Sequence, residues 1–348
     1  MPVLKQHISL AARGVRAFLN LEAGVTRVGV ADQPQQGLQG SSDGQAARLD
    51  RRGPEQGSRQ PVRSGGNGLR PENILWIFGS GRSGSTWLSS MMGEMSGQTL
   101  WGEPWVGTLF GNFYYGQDKG RRQNPQFIMG SHRESWLGSI RNFVLDASAV
   151  TFPKLKATDY LVIKEPNGSI GAPLLMEALP ESRMVLLVRD PRDVIASSLD
   201  ARREGGWHFE KNKGRLYKER KEPPKKGSLK FAEGRAQNYL QGMGNAKQAY
   251  DAHEGRKVLV KYEELRADTL GTMKRLYSTL GVPVDESELA RVVEEHSWEN
   301  IPEEQKGEGK FYRKGKPGGW REDLTPEQAE TVERITAPLL ADLYPEKV

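Results

Sequence analysis

Residues 78–87 read FGSGRSGSTW, and the fold follows from how that string is explained. From Gly79 it runs G-x-x-x-x-G-S-T, the phosphate-cradling loop pattern in every position except one: Ser85 stands where a nucleotide-triphosphate loop has lysine. That lysine reaches the β- and γ-phosphates, so the substitution points to a ligand with no γ-phosphate to hold. Gly79, Gly81 and Gly84 let the backbone curl with its N–H groups inward, and the helix start adds partial positive charge. Arg82 adds a full cation, from which a merely structural turn would gain nothing. Before the loop, NILWIF (73–78) is a short apolar run with the length of a buried strand, and a helix is expected from about Ser85 to Met95.

Working outward, YLVIK (160–164), MVLLV (184–188) and KVLVKY (257–262) repeat the buried-strand signature. They alternate with helical spacing near 191–203, 234–252, 268–280, 286–297 and 326–342. The alternation implies an α/β fold: three layers, a mainly parallel sheet with a P-loop-like phosphate-binding loop, and a single domain after a disordered N-terminal region. Thr325-Pro326-Glu327-Gln328 is a capping box with proline at its first helical position.

The expected organisation has three parts. Residues 1–30 form an N-terminal amphipathic segment, with Leu4, Ile8, Ala11, Val15 and Phe18 at helical spacing. Residues 31–70 are rich in Gly, Gln, Ser, Arg and Pro and form a disordered linker, since they have little to bury. Residues 71–348 form the folded domain.

Composition narrows the chemistry. The chain has 348 residues, 36% hydrophobic, a formal charge of +6 and no cysteine. Disulfides, thiolate metal sites and a cysteine nucleophile are therefore excluded. The five histidines, His7, His132, His208, His253 and His296, are scattered, so no metal is expected. No apolar run is long enough to span a bilayer, and the start of the chain lacks a signal-peptide core, which makes the cytoplasm the expected address, with peripheral membrane attachment the alternative. Residues 202–235 hold 12 Lys or Arg against 5 Asp or Glu. Such a charge run is expected to be a solvated, mobile loop, or a lid that attracts an anionic substrate. A nucleic-acid partner is not expected, because the cations are not interleaved with a stacking platform.

A second anion site is written in LLVRDPRDVIASS (186–198), a strand emptying into Arg189, Asp190, Pro191 and Arg192 and then a helix that carries Ser197. A third basic element, RKGKPGGW (313–320), precedes the last helix.

Together these three elements resemble the sulfotransferases, which transfer a sulfuryl group from 3′-phosphoadenosine 5′-phosphosulfate (PAPS). GRSGSTW is similar to their 5′-phosphosulfate loop, which assigns Arg82, Ser83, Gly84, Ser85, Thr86 and Trp87 to the donor. Arg189 and Ser197, eight residues apart, occupy the places of the 3′-phosphate pair. Arg313, Lys314 and Gly315 match a C-terminal loop that contacts the same phosphate, with Trp320 and Thr325 keeping its later spacing. Trp87, Tyr262 and Trp298 resemble adenine-pocket aromatics. The resemblance implies PAPS as co-substrate, no metal, and a hydroxyl-bearing acceptor that the basic segment would suit to anionic character.

Sulfuryl transfer needs a charge stabiliser and a base. Arg82 is expected to meet the leaving oxygen, where many relatives have lysine. The histidine of the cytosolic enzymes' K-T-H element has no counterpart in Lys164-Glu165-Pro166. Glu103, in WGEP, is instead similar in placement to the glutamate base of tyrosylprotein sulfotransferases and is the first candidate. Glu165 is the alternative, His132 and His208 follow, and Lys164 is a candidate for charge stabilisation. Trp101, Trp105, Phe113, Tyr114 and Tyr115 are candidates to line a glycan or lipid pocket or to fill the core. The competing readings are a P-loop kinase or NTPase, which would need the missing lysine, and a non-catalytic module that binds nucleotides or polyanions.

Overall fold

In the computed structural model, the run ILWIF has no exposure to solvent along its whole length and becomes the central strand of a five-stranded sheet. The structure describes residues 68–344, apart from positions 118, 220 and 221. The amphipathic segment and all but the last three residues of the linker lie outside the described residues.

The strands are β1 (Ile74–Phe78), β2 (Gln98–Gly102), β3 (Tyr160–Lys164), β4 (Arg183–Val188) and β5 (Lys257–Lys261), in the order β2-β3-β1-β4-β5 with every pair parallel. Helix α1 (Ser85–Glu94) follows β1. Helices α2 (Val106–Tyr115) and α3 (Arg133–Thr151) lie between β2 and β3, and α4 (Ala172–Ala178) between β3 and β4. Helices α5 (Pro191–Arg202), α6 (Trp207–Lys218) and α7 (Leu229–Ala252) lie between β4 and β5, while α8 (Thr269–Leu280), α9 (Glu286–Glu295) and α10 (Pro326–Leu343) follow β5.

Alternation along β1 makes the three layers. Ile74, Trp76 and Phe78 enter one core with side chains of α3, α4, α7 and α10. Leu75 and Ile77 enter the other with α1, α8 and α9. Both faces being covered explains why the strands are continuous apolar runs rather than alternating ones. From β1 the chain passes to β2 and β3 on one side and then to β4 and β5 on the other. The direction of winding therefore reverses beside β1, and the crevice at the carboxyl ends of the strands opens there.

The helix caps follow the local sequence. Thr325 and Gln328 form the reciprocal capping box at the start of α10. Ser228 caps α7, which begins at Leu229, earlier than its spacing indicated.

One expectation fails. The basic segment is not one continuous loop: α6 takes up most of its first half and α7 begins at Leu229; within α6, Phe209, Asn212 and Leu216 turn inward at i, i+3 and i+7, and Glu210, Lys211, Lys213 and Arg215 face solvent. Burial of Phe209 and an amphipathic stripe outweigh the like-charge repulsion that the composition emphasised. Strand β2 and helices α2, α3 and α4 also went unrecognised in the sequence.

Candidate active site

The five parallel strands end at Phe78, Gly102, Lys164, Val188 and Lys261. The residue at or just past each of these ends is Gly79, Glu103, Lys164 with Glu165, Arg189 and Tyr262. The carboxyl end of the sheet thus gathers three catalytic candidates, Glu103, Lys164 and Glu165, and the start of the candidate donor-binding segments that follow β1, β4 and β5.

The phosphate loop is held from both sides. Ser169, which follows β3, accepts from Gly79 N at 2.9 Å and donates to Gly79 O at 2.6 Å. Gly84 caps α1 with φ 91°, a left-handed conformation that glycine adopts without penalty. A Cβ on Gly84 would sit 2.6 Å from Tyr262 Cδ2, so the ring of Tyr262 lies directly on the loop. Arg82 also has positive φ, at 73°. Its Nε donates to Ser197 Oγ at 3.1 Å and its Nη2 to the carbonyl of Phe311 at 2.7 Å. The rings of Phe311 and Trp207 lie 4.8 and 5.4 Å from the guanidinium. Burial, then the cations Arg189 and Arg313, push the Arg82 pKa down to about 10, which leaves it charged at neutral pH.

Arg82 thereby joins the loop to Ser197 and Arg189, the residues expected to form a second anion site. Arg189 Nη1 donates to Arg82 O at 3.0 Å, and the Arg189 guanidinium stands 4.1 Å from the centroid of Tyr262. Among the described residues, Arg189 Nε is buried without a hydrogen-bond partner, an orphaned cationic donor of the kind an anionic ligand would satisfy. Arg313, buried on the C-terminal loop, pairs with Asp323, and Lys314 bonds Glu322 at 2.7 Å and Asp323 at 2.9 Å. Gly315 has φ 60°, and a Cβ there would run into the Trp298 ring.

The base candidates separate. Glu103, with φ 55°, accepts from Lys164 Nζ at 2.7 Å and from Asn167 Nδ2 at 2.9 Å. Lys164 Nζ lies 3.4 Å from Thr86 Oγ1, so a polar chain runs from the phosphate loop through Lys164 to Glu103. Glu165 is 1% exposed and accepts from Val106 N at 2.9 Å, at the start of α2. Burial raises its pKa to about 7, against the backbone N–H groups of Val106, Trp105 and Gly107. His132 precedes α3. His208 is pushed down to about 4 by burial, then by Arg202, Arg215, Arg235 and Lys211, and is neutral at physiological pH.

Among the aromatics, Trp87 meets Tyr262 edge-on at 6.3 Å and donates to the carbonyl of His296 at 2.8 Å, which ties α1 to the corner bearing Trp298. Trp101, Tyr114 and Tyr115 pack against the core, whereas Trp105 and Phe113 are exposed. Sequence reading missed Asn167, Ser169, Asp193, Asp200, Trp207 and Phe311. Only Asn167 and Ser169 had a usable signal, since they follow a strand end in the string EPNGS.

A family model described as a sulfotransferase domain matches residues 72–344. Cytosolic sulfotransferase 17 of Arabidopsis thaliana is 27% identical over 221 residues, which cover 53% of this chain and 59% of that protein. The chain thus spans little more than half the length of this curated relative. Among solved structures, mouse sulfotransferase SULT7A1 complexed with PAP has a TM-score of 0.48 at 14% identity, covering 78% of this chain and 86% of that one. Sulfotransferase STF9 from Mycobacterium avium has a TM-score of 0.49 at 14% identity, covering 79% and 77%.

Proposed function

Since the chain belongs to the sulfotransferase domain family, we propose that it transfers a sulfuryl group from PAPS to a hydroxyl of an acceptor, with Glu103 as general base. The observation that carries this reading is the chain Thr86–Lys164–Glu103: it sets a carboxylate beside the loop that would hold the sulfuryl end of the donor. The cytoplasm is the proposed address, in line with a relative named as cytosolic.

In this mechanism the N–H groups of 81–86, with Ser85 and Thr86, hold the 5′-phosphosulfate at the start of α1. Arg189, Ser197 and Arg313 hold the 3′-phosphate, and Trp87, Tyr262 and Trp298 enclose the adenine. A 3′-phosphate at Arg189 would satisfy its orphaned Nε, and Arg313 and Lys314 would exchange Asp323 and Glu322 for phosphate oxygens. Glu103 takes the acceptor's hydroxyl proton as its oxygen attacks sulfur. The bond from sulfur to the 5′-phosphate oxygen breaks, and a sulfate ester and 3′-phosphoadenosine 5′-phosphate (PAP) result. Negative charge gathers on the leaving oxygen, where Arg82 and Lys164 supply fixed positive charge. Arg82 acts electrostatically, since a guanidinium with a pKa of about 10 keeps its proton. Glu165, buried on the N–H of Val106, holds α2 rather than meeting the acceptor.

A kinase reading fares worse on the geometry. Ser85 replaces the required lysine, and Asp190, the acidic residue after β4, is bound by Arg192 through its backbone and side chain as the cap of α5. Calorimetric titration of PAP against ATP with magnesium tests the donor: preferential PAP binding that Arg189→Ala weakens supports the proposal, and a preference for ATP refutes it. Labelled PAPS offered with carbohydrate, lipid-linked and peptide hydroxyls then identifies the acceptor.

A further inference from the structure

Helix α5 presents three residues of one face toward the C-terminal basic loop. Asp193, Ser197 and Asp200 fall at i, i+4 and i+7. Ser197 meets Arg82, and the two carboxylates on either side of it reach the backbone of a strap formed by residues 309–320.

Asp193 has no exposure to solvent and receives two backbone N–H bonds, from Gly318 at 2.7 Å and Trp320 at 2.9 Å. The Arg192 guanidinium lies 4.3 Å from the Trp320 ring, so that end of the strap is gripped by adjacent residues of α5. Asp200 receives Gly309 N at 2.9 Å, and Gly309 O accepts from Trp207 N at 2.8 Å, which clamps both polar groups of one residue. Two residues on, the Phe311 carbonyl accepts a hydrogen bond from Arg82 Nη2 at 2.7 Å. Four residues on, Arg313 pairs with Asp323 and is near enough to Arg82 for its charge to lower the Arg82 pKa. Buried carboxylates bonded to backbone N–H groups are costly to remove, because donors are left without partners.

We propose that Asp193 and Asp200 are positioning residues that fix this strap over the donor in two separable halves. Asp193 sets Arg313 for the 3′-phosphate, and Asp200 sets Phe311 and, through it, Arg82 for the 5′ end. The inference rests on the donor assignment above and adds residues that touch neither donor nor acceptor.

Two probes distinguish the halves: PAP, which carries both phosphates, and adenosine 5′-phosphosulfate, which lacks the 3′-phosphate. Asp193→Asn retains one acceptor oxygen for two N–H groups. It is expected to weaken PAP by about tenfold or more while adenosine 5′-phosphosulfate changes by less than about twofold. Asp200→Ala is expected to weaken adenosine 5′-phosphosulfate, whose 5′ end carries the sulfuryl group that Arg82 would face, by a clearly larger factor than PAP. A loss of packing alone would lower both affinities by one factor in each variant. That result, or unchanged affinities, overturns the inference. Asp193→Glu keeps the carboxylate but displaces it, and it carries the same comparison if Asp193→Asn does not fold. Failure of the unaltered protein to bind PAP would instead overturn the donor assignment, and this inference with it.

Discussion

Lys164 Nζ donates to Glu103 Oε1 at 2.7 Å while Asn167 donates to the other carboxylate oxygen at 2.9 Å. Both oxygens are thereby oriented, and each keeps a lone pair for a proton. Glu103→Gln preserves shape but presents an amide that cannot take that proton. Initial rates with labelled PAPS should fall by about 10²- to 10⁴-fold. PAP affinity, measured calorimetrically, should stay within about twofold, because the side chain is not assigned to the donor. Equal losses in rate and PAP affinity would show Glu103 to be a structural partner of Lys164.

Arg189→Ala removes the guanidinium that lies over Tyr262 and bonds Arg82 O. Charge-assisted hydrogen bonds contribute roughly 1.5–3 kcal/mol, so PAP affinity should drop about 10- to 100-fold. Adenosine 5′-phosphosulfate should lose much less. Equal weakening of the two ligands would place Arg189 away from the 3′-phosphate.

The parts of this site that the sequence revealed are local in the chain. GRSGSTW carries its own turn chemistry, and Arg189 follows an apolar run whose strand character is plain from eight consecutive residues or fewer. Strand β2 escaped notice because it lies at the sheet edge, where QTLWG is only partly buried. Asp193 and Asp200 escaped for another reason: their partners are more than 100 residues away, and a carboxylate that caps a distant backbone N–H leaves no spacing to detect. In α6 the charges hid the stripe, since the inward positions include Asn212.

Glu165 makes stability depend on pH. Its folded pKa is about 7, above the ordinary value of 4.5, because burial disfavours the carboxylate. The folded state therefore holds a proton that the unfolded chain has released, and stability declines as pH rises from near 4.5 through about 7. A difference of about 2.5 between the two values corresponds to roughly 3 kcal/mol at the upper end of that window. Glu165→Gln should abolish this decline. Thermal melts at pH 5 and pH 8 check it: the variant should gain relative to wild type at the higher pH, and parallel curves would sink the assignment.

Gly84→Ala tests whether the phosphate loop and the aromatic wall are one unit. A Cβ at φ 91° is strained by itself, which costs about 1 kcal/mol or more. The same Cβ would stand 2.6 Å from Tyr262 Cδ2, and that ring cannot simply swing aside, because Arg189 lies over it and Trp87 meets its edge. The substitution should thus displace Tyr262 and Arg189 together and lower PAP affinity by at least about tenfold. If the clash rather than the backbone strain is responsible, truncating the ring should relieve it. Tyr262→Ala in the Gly84→Ala background should then cost much less PAP affinity than Tyr262→Ala alone, a coupling of roughly 1 kcal/mol or more in a double-mutant cycle. Additive losses would mean that the strained loop backbone acts alone and that Tyr262 reads the adenine independently of Gly84.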